Sequence, residues 1–361
     1  MMTIRAVLAA GLLTGVHAVP AQAQAAGGDS PSLPDTAYVA GEYRVYTGAG
    51  EPSSIDAIVT AMARHDVVFV GETHDDPTGH MLEALLLRQA HETHAGPAAA
   101  GDASRTVALS LEFFQRDVQP ILDEYLSGLI TEEMFLADSR PWPRYETDYR
   151  PLIEFSKQNG IDVIAANAPR RYTRRVTLHG RESLNDLDAR ARSTIAPLPY
   201  GEPTEAYRNQ WIEVISGVIE QEGTKCGRPI PRDEDGEPAA AHATAPAGSH
   251  DNMGNQLHSQ VLWDATMAHS ISEYLAGRPD ALVLHMVGGF HVARGTGTPE
   301  HLASYRPESS SMIVMLRPVD DVATFEPAPA GEWGDFVVQT DASRTLERIE
   351  CRAYLSELDS R

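Results

Sequence analysis

Short β-branched and apolar runs alternate along this chain with longer stretches of helical period, and that alternation is its strongest fold constraint. Val67-Val-Phe-Val70, Thr106-Val-Ala-Leu-Ser-Leu111, Ile161-Asp-Val-Ile-Ala-Ala166, Ala281 to Val287, Ser311 to Leu316 and Phe336 to Gln339 read as strands. Between them, His80 to His91 carries Met81, Leu82, Leu85 and Leu86 at helical spacing. Val118, Ile121, Leu122, Tyr125 and Leu126 repeat the pattern, Pro151 to Asn159 forms a helix ended by Gly160, and residues 205–222 and Gln260 to Ala276 add two more. Nearly continuous apolar strands separated by helices predict α/β architecture: a three-layer α/β/α domain around a mostly parallel central sheet. Ligands in such sheets bind at the carboxyl ends of strands.

The chain is 361 residues long, and its formal charge of -22 disfavours nucleic acid and other polyanions as partners. Two Cys, Cys226 and Cys351, exclude a disulfide scaffold and a four-thiolate zinc site, and leave open a single bond or two separate thiols. Residues 1–25 combine Arg5, an apolar stretch from Ala6 to Val19 and Ala21-Gln-Ala-Gln-Ala25, the pattern of a Sec-type signal peptide with small-x-small cleavage options. That stretch is too short to span a bilayer, and no Cys sits near the cleavage point for lipid attachment. A soluble exported, periplasmic protein is expected. Residues 26–50 then form a flexible leader, 51–345 the folded domain, and 346–361 a C-terminal segment, with a low-complexity insertion at 223–256.

The predicted strand ends carry the chemistry. They are Gly71-Glu-Thr-His74, Glu112-Phe-Phe, Asn167-Ala-Pro169 and Gly288-Gly-Phe-His291. A Gly before each His would let the backbone turn sharply and bring the imidazole inward. His74, Glu112 and His291 form a ligand set that suits Zn, Mn, Co or Fe, with positions left for water or substrate. Glu72 is then a candidate general base. The alternative for each His is a hydrogen bond to backbone, with the constellation serving as scaffold only. His80, at a helix start, is expected to be solvated or dipole-neutral, and Asn167 either supports the site from behind or fixes its own turn.

Several motifs in one order resemble a known family. They are Gly71-Glu-Thr-His74, Leu111-Glu-Phe-Phe-Gln-Arg-Asp with Gln119, Pro141-Trp-Pro with Tyr149-Arg-Pro151, Ala165-Ala-Asn-Ala-Pro-Arg170, Gln260-Val-Leu-Trp-Asp-Ala-Thr-Met-Ala268 and the ending at His291. Over about residues 55–317 the chain is similar to the ChaN-like haem-binding uptake family, within the Tiki, TraB and erythromycin-esterase-like superfamily. The resemblance implies an α/β/α fold, export to the periplasm, haem binding in iron uptake, haem-uptake components at the outer membrane as partners, and metal ligation at His74, Glu112 and His291. Family members are often lipoproteins, a feature this chain lacks the Cys for. A homodimer is a separate expectation.

Haem iron takes His, Tyr, Met or Cys. Tyr149, Tyr200 and Tyr207 are the tyrosinate candidates, each with the alternative of a half-buried ring whose hydroxyl meets water. His242, His250 and His258 of the insertion could collect metal, or be solvated. Arg170 and Arg174, in the cluster with Arg171 and Arg175, would face the propionates. Asp264 either orients a site His or is a first-turn acid favoured by the helix dipole. Two functions stand: an exported haem-binding protein, or a metal-dependent hydrolase of peptidase or esterase type.

Overall fold

Alternation within the strands divides the core between two sheet faces. In β2 (Val67–Glu72), Val68 and Val70 pack into one hydrophobic cluster, while Val67 and Phe69 pack into another. The computed structural model describes residues 42–95, 104–221, 253–328 and 333–359, with short pieces at 224–225 and 228–229. The expected signal peptide, most of the insertion, His242, His250 and Cys226 lie outside the described residues, and Cys351 is disulfide-bonded.

The elements run β1 (Tyr43–Thr47), α1 (Ile55–Met62), β2, α2 (Pro77–His94), β3 (Val107–Gln115), α3 (Gln119–Leu126), α4 (Glu132–Ser139), α5 (Arg150–Asn159), β4 (Asp162–Asn167), α6 (Arg170–His179), α7 (Ala189–Arg192) and α8 (Glu205–Gln221). A two-stranded antiparallel ladder follows, β5 (Thr224–Lys225) with β6 (Arg228–Pro229). Then come α9 (Met253–Gly277), β7 (Leu282–Gly288), α10 (Thr298–Tyr305), β8 (Ser311–Val319), β9 (Phe336–Asp341) and α11 (Leu346–Asp359). The seven-stranded sheet has the order β1-β9-β8-β2-β7-β3-β4, parallel throughout except for β1 against β9. Buried residues of α1 to α5 cover one face, and those of α9 and α10 cover the other. This is the three-layer α/β/α domain. Among the described residues no helix is long and apolar enough to cross a membrane.

Two local expectations need correction. Tyr43–Thr47 is a strand, although it falls inside the 26–50 leader expected from sequence; beyond a single bridge from Tyr46 to Pro52, its neighbour β9 supplies the order. Helix α9 starts at Met253 rather than Gln260, because Leu257 is buried among Ala168, Val176 and Tyr200. His258 therefore stands on a helix and not in the insertion.

The edge strand β4 is covered by a side chain. Gln119 Nε2 donates to the Val163 carbonyl at 2.8 Å, and Gln119 Oε1 accepts the Ala165 N–H at 2.7 Å. Gly160 closes α5 in the left-handed region at φ 65°, with no heavy atom within 4 Å of where a Cβ would stand. Gly160→Ala is therefore strained by backbone conformation alone and is expected to cost about 1 kcal/mol, read as a shift of the urea midpoint at unchanged slope.

Candidate functional site

β2, β7 and β3 are consecutive in the sheet, so their carboxyl ends lie side by side. Glu72 pairs with Gly288 across the β2–β7 ladder. On β3, Leu111 pairs with Ala165 and Gln115 with Asn167, and the register slips between them. Such a bulge re-aims side chains, and Glu112 lies within it.

The result gathers the expected residues. Glu112 Oε2 accepts the Gly288 N–H at 2.7 Å, and Glu112 Oε1 lies 3.6 Å from His291 Nε2. His291 Nδ1–H donates to Asp264 Oδ1 at 2.8 Å. Asp264, itself fully buried, also accepts Thr298 Oγ1–H at 2.8 Å and Tyr207 O–H at 2.5 Å. Burial opposes a charge on His291, but Asp264 and Glu112 outweigh it and raise its pKa to about 9. His74, half exposed at 49% of its side chain, gives its Nδ1–H to Glu72. Burial opposes its protonation too, and the hydrogen bond and charge of Glu72 reverse the balance and raise its pKa.

His74, Glu112 and His291 thus meet around Gly288, but each imidazole is drawn toward its own carboxylate. Among the described residues, the group whose donor atoms all lie within 4.8 Å of one another is Glu72, His80 and Glu83. Glu72, the candidate general base, is held by two imidazoles. Burial would raise its pKa, yet hydrogen bonds from His74 and His80 hold it well below the usual carboxylate range, and a carboxylate so stabilised has little basicity.

His80 departs from expectation as well. It is buried, its Nδ1 standing 3.0 Å from Glu72 Oε2 and 3.2 Å from Glu83 Oε2, while Nε2–H donates to the His74 carbonyl at 3.1 Å. Asp148 Oδ2 is 3.6 Å from the same Nε2. Glu83 and Asp148 escaped sequence reasoning. The available signal was an acid, Glu83, set on the apolar face of α2 between Leu82 and Leu86, three residues after His80.

The glycines act by leaving room rather than by turning the chain. Gly71 lies inside β2, and Gly288 has φ -54° and ψ 132°, a conformation open to any residue. A Cβ on Gly288 would stand 2.9 Å from His74 Cε1 and 3.4 Å from Glu112 Oε2. Asn167 Oδ1 accepts the N–H of Ala168 at 2.7 Å, so it fixes its own turn.

None of the three tyrosines is presented as a tyrosinate. Tyr149 is buried and stacked on Phe113 with centroids 3.8 Å apart, Tyr200 donates to the His258 carbonyl at 3.1 Å, and Tyr207 is bound to Asp264. Burial raises the pKa of all three above the ordinary phenol value. His258 lies 3.9 Å from Glu202, and burial lowers its pKa.

At the mouth, Trp142 meets the His74 ring edge-on at 5.1 Å, the Arg170 guanidinium lies 5.7 Å from the Trp142 ring, and Arg144 donates to the His74 carbonyl. Arg174 is exposed on α6, while Arg171 is paired with Asp117 at 2.5 Å and Arg175 with Asp186 at 2.8 Å. Of the basic cluster, Arg170 borders the site.

Residues 58–302 match the profile of the family described as haem-binding uptake, Tiki superfamily, ChaN. This chain belongs to the ChaN family. Among solved structures, this ChaN-family chain is similar to one described as cofacial heme binding to ChaN of Campylobacter jejuni, at a TM-score of 0.57 and 14% identity, covering 82% of this chain and 96% of that one. That likeness shows a shared fold. A mutant of the erythromycin esterase EreC in its open conformation aligns at a TM-score of 0.39 and 12% identity over 83% of each chain. Among curated proteins, Protein RETICULATA-RELATED 5, chloroplastic, of Arabidopsis thaliana is 23% identical over 289 residues, 76% of this chain and 35% of its own length. The ChaN-family chain thus spans about a third of that relative.

Proposed function

We propose that this protein binds haem at the carboxyl edge of its sheet, as an exported component of haem and iron uptake in the periplasm. One observation carries the location: His74 is a half-exposed imidazole whose Nδ1 is committed to Glu72, which leaves Nε2 as the nitrogen able to ligate iron. Trp142 beside it offers a flat apolar surface, and Arg170 and Arg144 offer positive charge for propionates. The buried tyrosines do not fit an axial role; His74 does. Export rests on the signal pattern at residues 1–25, and the partners at the outer membrane follow from the family's uptake role.

Hydrolysis on a divalent ion (Zn, Mn, Co or Fe) held by His74, Glu112 and His291 is the second reading. It is favoured by the grouping of both imidazoles with Glu112 around Gly288, with each Nδ1 hydrogen-bonded to a supporting carboxylate.

Hemin titrated into purified protein is expected to give a Soret band that saturates, and His74→Ala is expected to weaken binding about tenfold or more. A normal titration with His74→Ala would remove the ligand assignment, and no band with the native protein would end the haem reading. Ester or peptide hydrolysis that requires added metal and disappears in both His74→Ala and His291→Ala would favour the second reading.

A further inference from the structure

Beneath the exposed site lies a group of side chains that haem ligation does not use. Glu83 is fully buried on a helical face shared with Leu82, Leu86 and Leu87. A carboxyl group in such a position is costly unless a partner offsets its desolvation. Its neighbours are His80 and Glu72, also buried.

The tautomer of His80 is set from behind. Its Nε2–H is committed to the His74 carbonyl at 3.1 Å, with Asp148 Oδ2 at 3.6 Å and Asp148 in turn held by Arg144 at 2.7 Å. That is the arrangement that fixes a metal-binding imidazole. It aims Nδ1 at Glu72 and Glu83. One imidazole nitrogen and two carboxylates, each able to offer a ligand atom, therefore meet in one buried spot. A second observation points the same way: Glu83 Oε1, on a fully buried side chain, has no hydrogen-bond partner. A proton on Nδ1 faces Glu72 Oε2 at 3.0 Å and Glu83 Oε2 at 3.2 Å, and leaves Glu83 Oε1 unserved.

We propose that Glu72, His80 and Glu83 bind a small divalent transition-metal ion of the Zn(II) or Mn(II) type, at a site separate from His74, Glu112 and His291. One nitrogen and carboxylate oxygens suit such ions, with remaining positions filled by water. Donors around an ion at about 2.1 Å stand about 3.4 Å apart in tetrahedral geometry. The observed 3.0 Å and 3.2 Å from His80 Nδ1 require adjustments of a few tenths of an ångström. Glu72 joins this group to the exposed edge, since its other oxygen holds the half-exposed His74.

The test uses haem-free, chelator-treated full-length protein exposed to Zn(II) or Mn(II) alone, then gel-filtered and analysed for metal. About one equivalent is expected to remain and to raise Tm. Glu83→Gln and His80→Ala are expected to lose both effects, and His291→Ala to keep them. X-ray absorption at the zinc edge of the native protein is expected to show one imidazole. No retained metal, two imidazoles, or retention lost in His291→Ala but kept in Glu83→Gln would each overturn the site. If His80→Ala does not fold, Glu83→Gln and the absorption spectrum of the native protein still decide. Hemin binding is not part of this readout, so the haem reading and the metal site fail separately.

Discussion

Asp264→Ala is expected to cost about 3–5 kcal/mol of stability. The carboxylate is fully buried and accepts hydrogen bonds from Tyr207, Thr298 and His291. Its removal leaves a tyrosine hydroxyl, a threonine hydroxyl and an imidazole N–H without their acceptor in the interior, and unmade buried hydrogen bonds are where large single-site losses arise. The same network predicts a pH dependence. The folded pKa of His291 is raised to about 9 from an ordinary value of 6.5, because the charges of Asp264 and Glu112 outweigh its burial. The stability it contributes is fully present below pH 6.5 and is lost as pH rises through about 9. His80 is raised in the same direction, Glu72 and Glu83 outweighing burial, but that contribution is common to both proteins. The gap in stability between native protein and Asp264→Asn, from urea denaturation at pH 6 to 10, should therefore narrow with rising pH. A constant gap would mean that Asp264 does not hold the His291 proton.

Two glycine variants should separate binding from folding. In Gly288→Ala the new methyl would stand 2.9 Å from His74 Cε1 and 3.2 Å from His74 Nε2. His74 is half exposed and can swing away, so the fold should survive while the imidazole leaves Glu72. Hemin affinity is expected to fall as far as in His74→Ala, about tenfold or more, with Tm little changed. In Gly71→Ala the methyl would meet Met315 Sδ at 2.7 Å, Val292 Cγ2 at 2.8 Å and the Gly289 Cα at 3.1 Å. That position is packed on all sides, and overpacking there is expected to cost about 1–3 kcal/mol. Equal loss of stability in both variants would contradict the separate roles assigned to the two glycines.

The sheet was legible because its central strands are apolar on both faces: Val67 to Val70 has no polar residue, and turn residues follow it. The edge strand β1 carries no such run, and its order comes from pairing with Val337 and Val338, distant in sequence. The strand-end rule brings His74, Glu112 and His291 to one edge of the sheet, and in the structure they meet around Gly288. What it could not convey was which nitrogen each imidazole commits, because Asp264 reaches His291 from a different helix. Glu83 carries only the weak signal of an acid on an apolar helix face, since its burial depends on how α2 lies against the sheet. The depth of the tyrosines was not legible either, because composition does not report burial: Tyr207 is sealed against Asp264 and Phe290 by α8 and α9 together.

Gln119 has a consequence beyond the chain itself. An open edge strand is a template on which any extended segment can lay a further strand, its own copies included. By engaging the carbonyl of Val163 and the N–H of Ala165, the Gln119 amide imitates the backbone of a neighbour that is not there. The growth of the sheet therefore stops at β4 through one side chain, and Gln119→Ala would reopen that border to strand exchange and self-association.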